Sequence, residues 1–153
     1  MGFELKSACF RENGPIAKKY TCDGSNASVS LNWTDPPEDT KSFALIADDS
    51  DAPSGTFVHW VLYDLPGDAR GVEEGIPPKR VLDNGAKQGV NDFRKIGYGG
   101  PCPPRGPAHR YVFTLYALNR VVGLQPGATK EQLLRSMNGH ISAEARLIGT
   151  YAR

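Results

Sequence analysis

The sequence predicts an all-β sandwich or barrel, and three observations carry that expectation. The 153 residues include 17 Gly and 12 Pro, a density of turn formers that leaves only short strand-like runs between them. The chain is long enough for one domain with a real core and too short for two. Finally, the stretch from Gly97 to Leu118 shows loop and strand in succession. Its first part, to Pro107, is mostly Gly and Pro, and so is neither a helix nor a central strand. Its second part alternates: Tyr111, Phe113, Leu115 and Ala117 point one way, while Val112, Thr114, Tyr116 and Leu118 point the other. The residues His109 and Arg110 stand at the junction, where an ordered loop hands a His to the mouth of a core strand.

The remaining elements follow in order. Phe3, Leu5 and Ser7 alternate with polar neighbours and give a first strand. Asn13-Gly14-Pro15 and Asp23-Gly24 are turns. Leu31 to Trp33 is a short strand ended by Asp35-Pro36-Pro37. Ser42 to Asp48 is the apolar run of a buried strand, and it ends in the acidic cluster Asp48, Asp49, Asp51. Phe57 to Leu65 is a second strongly β-prone run with His59 near its start. Residues 66–100 are broken by repeated Gly and Pro and read as one long, basic, ordered loop that borders a site. Thr129 and Gln132 form a capping box ahead of Leu133, Leu134 and Met137, and Asn138-Gly139 ends that helix. Alternation over Ala143, Ala145, Leu147, Gly149 and Tyr151 predicts a final strand, with a helix as the alternative.

Net charge is +1, which gives no reason to expect nucleic acid or an anionic membrane surface as partner. The charge is uneven: residues 1–75 hold 6 Lys or Arg against 13 Asp or Glu, and residues 76–153 hold 12 against 4. Either the halves interdigitate within one fold, or they form complementary faces at a dimer contact. No targeting segment and no apolar run of membrane length is visible, so no stable membrane insertion is expected. Cys9, Cys22 and Cys102 are odd in number and widely spaced. They argue against a disulfide framework or zinc knuckle, and for a reducing, cytoplasmic setting. Cys102 reads as a buried structural thiol.

Three features carry chemistry: the acidic cluster, His59, and the Pro-rich loop ending in His109. Strand ends gather at the ends of a sandwich, so the three are placed to converge on a small pocket. A carboxylate and two imidazoles would form its polar floor, with Pro, Trp and Tyr rings as walls. Such a set suits a small anion bearing donors of its own, and the backbone near Gly99-Gly100 offers further N–H donors. Asp51 is either a ligand contact or a loop-structuring residue, and Arg110 is expected to pair with a loop carboxylate.

The segments Asp49-Ser50-Asp51-Ala52-Pro53, His59-Trp60, Gly100-Pro101-Cys102-Pro103-Pro104-Arg105-Gly106 and His109-Arg110-Tyr111, in that order, resemble the phosphatidylethanolamine-binding protein family, also called Raf kinase inhibitor-like proteins. Tyr20 to Gly24 and the ending Gly149-Thr150-Tyr151 are similar to its short bacterial and archaeal branch. The resemblance covers nearly the whole chain. It implies a β-sandwich of two antiparallel sheets with Greek-key connections and a few short peripheral helices. It further implies an anion pocket at one end, lined by Asp49, Pro53, His59, Pro103, Pro104, His109 and Tyr111. The proline matching Pro53 follows a cis peptide in that family, and the family's bacterial members are described as homodimers. Ser50 stands where the family's box has proline.

The expected function is therefore a small-anion binding module for phosphate or a phosphorylated or carboxylated headgroup. The resemblance also raises a kinase or protease partner, which some relatives inhibit, but that role does not transfer from pocket residues alone. No cofactor, metal or catalysis is expected. Two other readings stay open: a hydrolase with Ser50 or Ser54 as nucleophile, which lacks a Gly-x-Ser-x-Gly elbow, and a metal-dependent enzyme using Asp49, His59 and His109 as a two-His-one-carboxylate set.

Overall fold

A computed structural model describes residues 2–153. The described residues form nine strands, one α-helix and a 3-10 turn at Lys18–Tyr20. The strands are β1 (Glu4–Lys6), β2 (Gly14–Pro15), β3 (Leu31–Thr34), β4 (Ser42–Asp49), β5 (Phe57–Pro66), β6 (Gly71–Val72), β7 (Lys87–Gln88), β8 (His109–Leu118) and β9 (Ile141–Tyr151). The helix α1 spans Lys130–Met137. A smaller sheet has the order β1-β3-β6, and a larger one the order β2-β9-β8-β4-β5-β7. Pairing is antiparallel throughout except for the short contact of β2 with β9, which is parallel.

The apolar run of β4 is continuous because both of its faces are covered. Phe43, Leu45 and Ala47 face the small sheet in a core shared with Leu5, Leu31, Trp33, Phe113 and Leu147. Trp33 of β3 and Phe43 of β4 meet with ring centroids 5.2 Å apart, so the two sheets interlock through aromatic side chains. Ala44 and Ile46 face the opposite way, into a second cluster with Val61, Tyr63, Leu133 and Met137. The helix α1 is thus held against the outer face of the large sheet by Leu133 and Met137, while Leu134 remains exposed. Its N-terminus is the expected capping box: Gln132 N–H donates to Thr129 Oγ1 at 3.1 Å, and Thr129 N–H to Gln132 Oε1 at 2.9 Å.

The acidic first half and basic second half meet within the chain. Asp64 pairs with Lys87, Asp48 with Lys130, Asp51 with Arg110 and Asp23 with Arg153. The charge asymmetry is therefore answered by interdigitation.

Two cysteines correct the expectation of free thiols. Cys22 and Cys102 form a disulfide with Cα atoms 5.4 Å apart, and both residues are exposed. Their separation of 80 residues hid the pairing. The turn after the 3-10 segment and the Pro-rich loop are brought together by Cys22 N–H donating to the Pro101 carbonyl at 3.1 Å, and by the Tyr98 hydroxyl donating to the Tyr20 carbonyl at 2.7 Å. Only Cys9 is free. The reducing, cytoplasmic expectation rested on unpaired cysteines and loses that support. No helix among the described residues is long and apolar enough to cross a membrane.

Candidate functional site

The register of the large sheet assembles the site. Asp49, the last residue of β4, lies opposite Phe57 of β5 on one side and Tyr111 of β8 on the other. His59 follows Phe57 by two positions and His109 precedes Tyr111 by two. The three sequence features therefore meet at one end of the sheet, around a cavity of about 150 Å³. Of the expected residues, Asp49, Pro53, His59, Pro103, Pro104 and His109 line it. Tyr111 lies behind this lining, with its ring edge-on to His59 at 5.3 Å between centroids. A larger groove of about 720 Å³ runs between β1 and β9, but its wall charges are of mixed sign, Glu4, Glu12 and Glu144 with Lys6, Arg11 and Arg146, and no imidazole reaches it.

Each polar group of the small cavity is held from one side. Asp49 is buried. Its Oδ2 accepts from His109 Nδ1 at 2.7 Å and its Oδ1 accepts from Asp51 N–H at 2.8 Å. His59 Nδ1 lies 2.6 Å from the Gly99 carbonyl. A carbonyl only accepts, so the proton of His59 sits on Nδ1 and the free ring nitrogen is Nε2. Burial pushes the His59 pKa down from its usual value, against the opposing pull of the Gly99 carbonyl and of the Asp49 charge. The ring is thus neutral near pH 7. The Tyr111 hydroxyl is buried without a hydrogen-bond partner. Burial raises its pKa and the nearby Asp49 charge raises it further, although no acceptor lies in bonding geometry.

The loop after Asp49 is braced without the proline that Ser50 replaces. Asp51 accepts from the Arg110 backbone N–H at 2.9 Å and from its guanidinium at 3.0 and 2.8 Å. These bonds hold the Asp51 carboxyl down to about 2. Asp51 is therefore a loop-structuring residue, and Arg110 is its partner. Pro53 sits in a tight turn closed by Gly55 N–H donating to the Ala52 carbonyl at 3.0 Å. A trans proline with its preset φ suits the second position of such a turn. No cis peptide occurs among the described residues, which corrects the isomer implied by the resemblance.

The sequence reading placed the proline walls, and misplaced the aromatic walls and two donors. The aromatic walls are Phe57 and Phe93, whereas Trp60 is fully buried in the core. Phe93 stands edge-on to Phe57 at 4.8 Å and to His59 at 5.5 Å. It is presented by a stiff turn: Asn91 Oδ1 accepts from Phe93 N–H and Lys95 N–H, and Asn91 Nδ2 donates to the Gly97 carbonyl. An aromatic residue inside a polar loop was the only signal that could have found it. The Gly99 and Gly100 amides are not anion donors, because Gly99 N–H donates to the His59 carbonyl and Gly100 N–H to Asn26 Oδ1, each at 2.9 Å. Glycine is required at both places by close approach. A Cβ on Gly99 would stand 2.4 Å from the Phe93 ring, and one on Gly100 would stand 2.2 Å from the Tyr20 carbonyl oxygen.

Neither open enzymatic reading gains a geometry. Ser54 lines the cavity, but the described hydrogen bonds join neither Ser50 nor Ser54 to an imidazole. No group of three or more His, Cys, Asp or Glu among the described residues is placed to hold a metal ion.

The chain as a whole is similar to known proteins. The family model described as phosphatidylethanolamine-binding protein matches residues 6–152. A UPF0098 protein of Methanothermobacter thermautotrophicus is 50% identical over 149 residues, covering 97% of this chain and 98% of the relative. A UPF0098 protein of Aquifex aeolicus is 50% identical over 152 residues, covering 98% and 88%. Among solved structures, a Chlamydia trachomatis protein described as a putative phosphatidylethanolamine-binding protein homologue is 41% identical. It superimposes with a TM-score of 0.91 over 99% of this chain and 98% of that one. Escherichia coli YbcL, described as a member of the mammalian family of that name, is 29% identical and gives 0.92 over 100% and 99%.

Proposed function

Because the chain belongs to the phosphatidylethanolamine-binding protein family, we propose that the cavity at the ends of β4, β5 and β8 binds one small phosphorylated or carboxylated anion and performs no catalysis. The observation that carries this reading is the set of polar atoms left over around one small space. Both imidazoles use Nδ1 for the protein, which leaves two Nε2 atoms, and the buried Tyr111 hydroxyl has no partner. A volume of about 150 Å³ holds roughly five waters at liquid density. That is room for a phosphate or phosphorylated headgroup, with any attached chain left outside past Phe93.

The proton positions make the site selective. With the His59 ring neutral, its Nε2 is an acceptor, which repels a fully ionised oxyanion. The ligand must therefore bring a proton of its own, as a hydrogen phosphate does, or be accompanied by one taken up at Nε2. The same reading takes the two sheets as a β-sandwich with Greek-key connections. The strand order supports it: β4 and β5 form a hairpin, and β8 returns by a long connection to the other side of β4.

Isothermal titration with inorganic phosphate tests the proposal. Saturable binding to the wild type that is lost in His109→Gln supports it. Equal binding by that variant, or none by the wild type, contradicts it.

A further inference from the structure

The Cys22–Cys102 disulfide belongs to the architecture of the cavity, and nothing above gives it a role. Cys102 lines the cavity together with Pro103 and Pro104, which directly follow it. The loop around it is fastened unevenly. Up to residue 101 it is docked on the 20–26 turn by ordinary hydrogen bonds: Tyr98 hydroxyl to the Tyr20 carbonyl, Gly100 N–H to Asn26 Oδ1, and Cys22 N–H to the Pro101 carbonyl. From Cys102 to Ala108 the fastening changes. Among the described residues, the only hydrogen bonds to this segment come from the Arg153 guanidinium, to Cys102 Sγ at 4.0 Å and to the Pro103 carbonyl at 3.5 Å, both at the outer limit for such contacts. The cavity wall is therefore a seven-residue span fixed at one end by the disulfide and at the other by the first residue of β8, with little between.

We infer that the Cys22–Cys102 disulfide is a redox latch on the ligand cavity: oxidised, it holds Pro103 and Pro104 in place as a wall, and reduced, it releases them. The bond is open to attack because both cysteines are exposed. A dithiol reductant supplies two electrons and two protons. The S–S bond breaks, two thiols form, and the reductant leaves as its own disulfide. The docked residues up to Pro101 stay in place, so the change is confined to residues 102–108. Loss of a preformed wall weakens binding because the ligand must then order that segment itself. The effect on binding rests on the anion reading above, whereas the effect on the loop does not.

The test compares Cys9→Ser protein, which retains only the bonded pair, in its oxidised form and after dithiothreitol. Backbone 15N order parameters are followed at Arg105, Gly106 and Ala108, and affinity is measured with inorganic phosphate. The latch predicts a fall of the order parameters from rigid-backbone values of about 0.85 to below about 0.6 and affinity weaker by about tenfold on reduction, both reversed on reoxidation. Cys22→Ser should show the reduced behaviour whether or not dithiothreitol is present. Unchanged order parameters, or lower order parameters with unchanged phosphate affinity, overturn the latch. If phosphate binds in neither state, the anion reading fails, and the order parameters at the three amides still decide whether the disulfide holds the wall.

Discussion

His109 Nδ1 lies 2.7 Å from Asp49 Oδ2, with the two side chains only 11% and 5% exposed. The contact joins the first residue of β8 to the last of β4. The other carboxylate oxygen of Asp49 holds Asp51 N–H, and Asp51 in turn grips Arg110. One buried carboxylate thus aims an imidazole into the cavity and shapes the loop beside it.

Removal of that carboxylate should be felt throughout the site. Asp49→Ala leaves the His109 ring and the Asp51 amide without their buried partner, at a cost of about 2–3 kcal/mol. Urea unfolding of the variant measures it. Asp51→Ala breaks an exposed pair, so its loss should be smaller and should shrink further with added salt.

Tyr111→Phe separates folding from binding. The hydroxyl has no partner in the free protein, so its removal should leave stability within about 0.5 kcal/mol of wild type. Phosphate affinity should fall, because the variant removes a donor from behind the cavity. Thermal unfolding and titration on the same sample check both halves.

The His59 pKa is lowered by burial, and the sign of its pH effect follows. Above the ordinary His value of about 6.5 both folded and unfolded chains carry a neutral ring. As pH falls below that value the unfolded chain takes up the proton first, so this residue lowers stability progressively until the folded pKa is reached. His59→Gln should flatten that part of the stability profile below pH 6.5. The groups facing the ring, Asp49, Asp48 and Tyr111, remain in the variant and act as the internal reference. An anion that brings no proton, such as sulfate, should bind more tightly at pH 5.5 than at pH 8.

The long loop before the site depends on one buried amide. Gln88 is fully buried. Its Oε1 accepts from Trp60 Nε1 at 2.8 Å, and its Nε2 donates to the carbonyls of Pro77 and Lys79. Gln88→Ala orphans three polar groups and opens a cavity, for a loss of about 3 kcal/mol in chemical unfolding.

The sequence shows the long elements because their patterns are local. β4 and β5 are dense apolar runs, β8 and β9 alternate, and α1 announces itself by Thr129 and Gln132. The two-residue strands β2, β6 and β7 lie among Gly, Pro and charged residues, and they exist because a partner strand accepts them rather than through any propensity of their own. In the site, Asp49, His59 and His109 were legible as the ends of strands. Phe57 and Phe93 were not marked as walls, since a lone aromatic residue carries no period. The amides of Gly99 and Gly100 were misread because their acceptors, the His59 carbonyl and Asn26, are distant in sequence. The Cys22–Cys102 bond was hidden for the same reason.

The most direct test of the site is a long-range 1H–15N spectrum of the histidine rings, recorded at pH 7 without and then with inorganic phosphate. The structure predicts a neutral His59 ring protonated at Nδ1, and saturable shifts at the Nε2 atoms of His59 and His109 as phosphate is added. A His59 ring protonated at Nε2, or ring signals that phosphate leaves unmoved, would contradict the account.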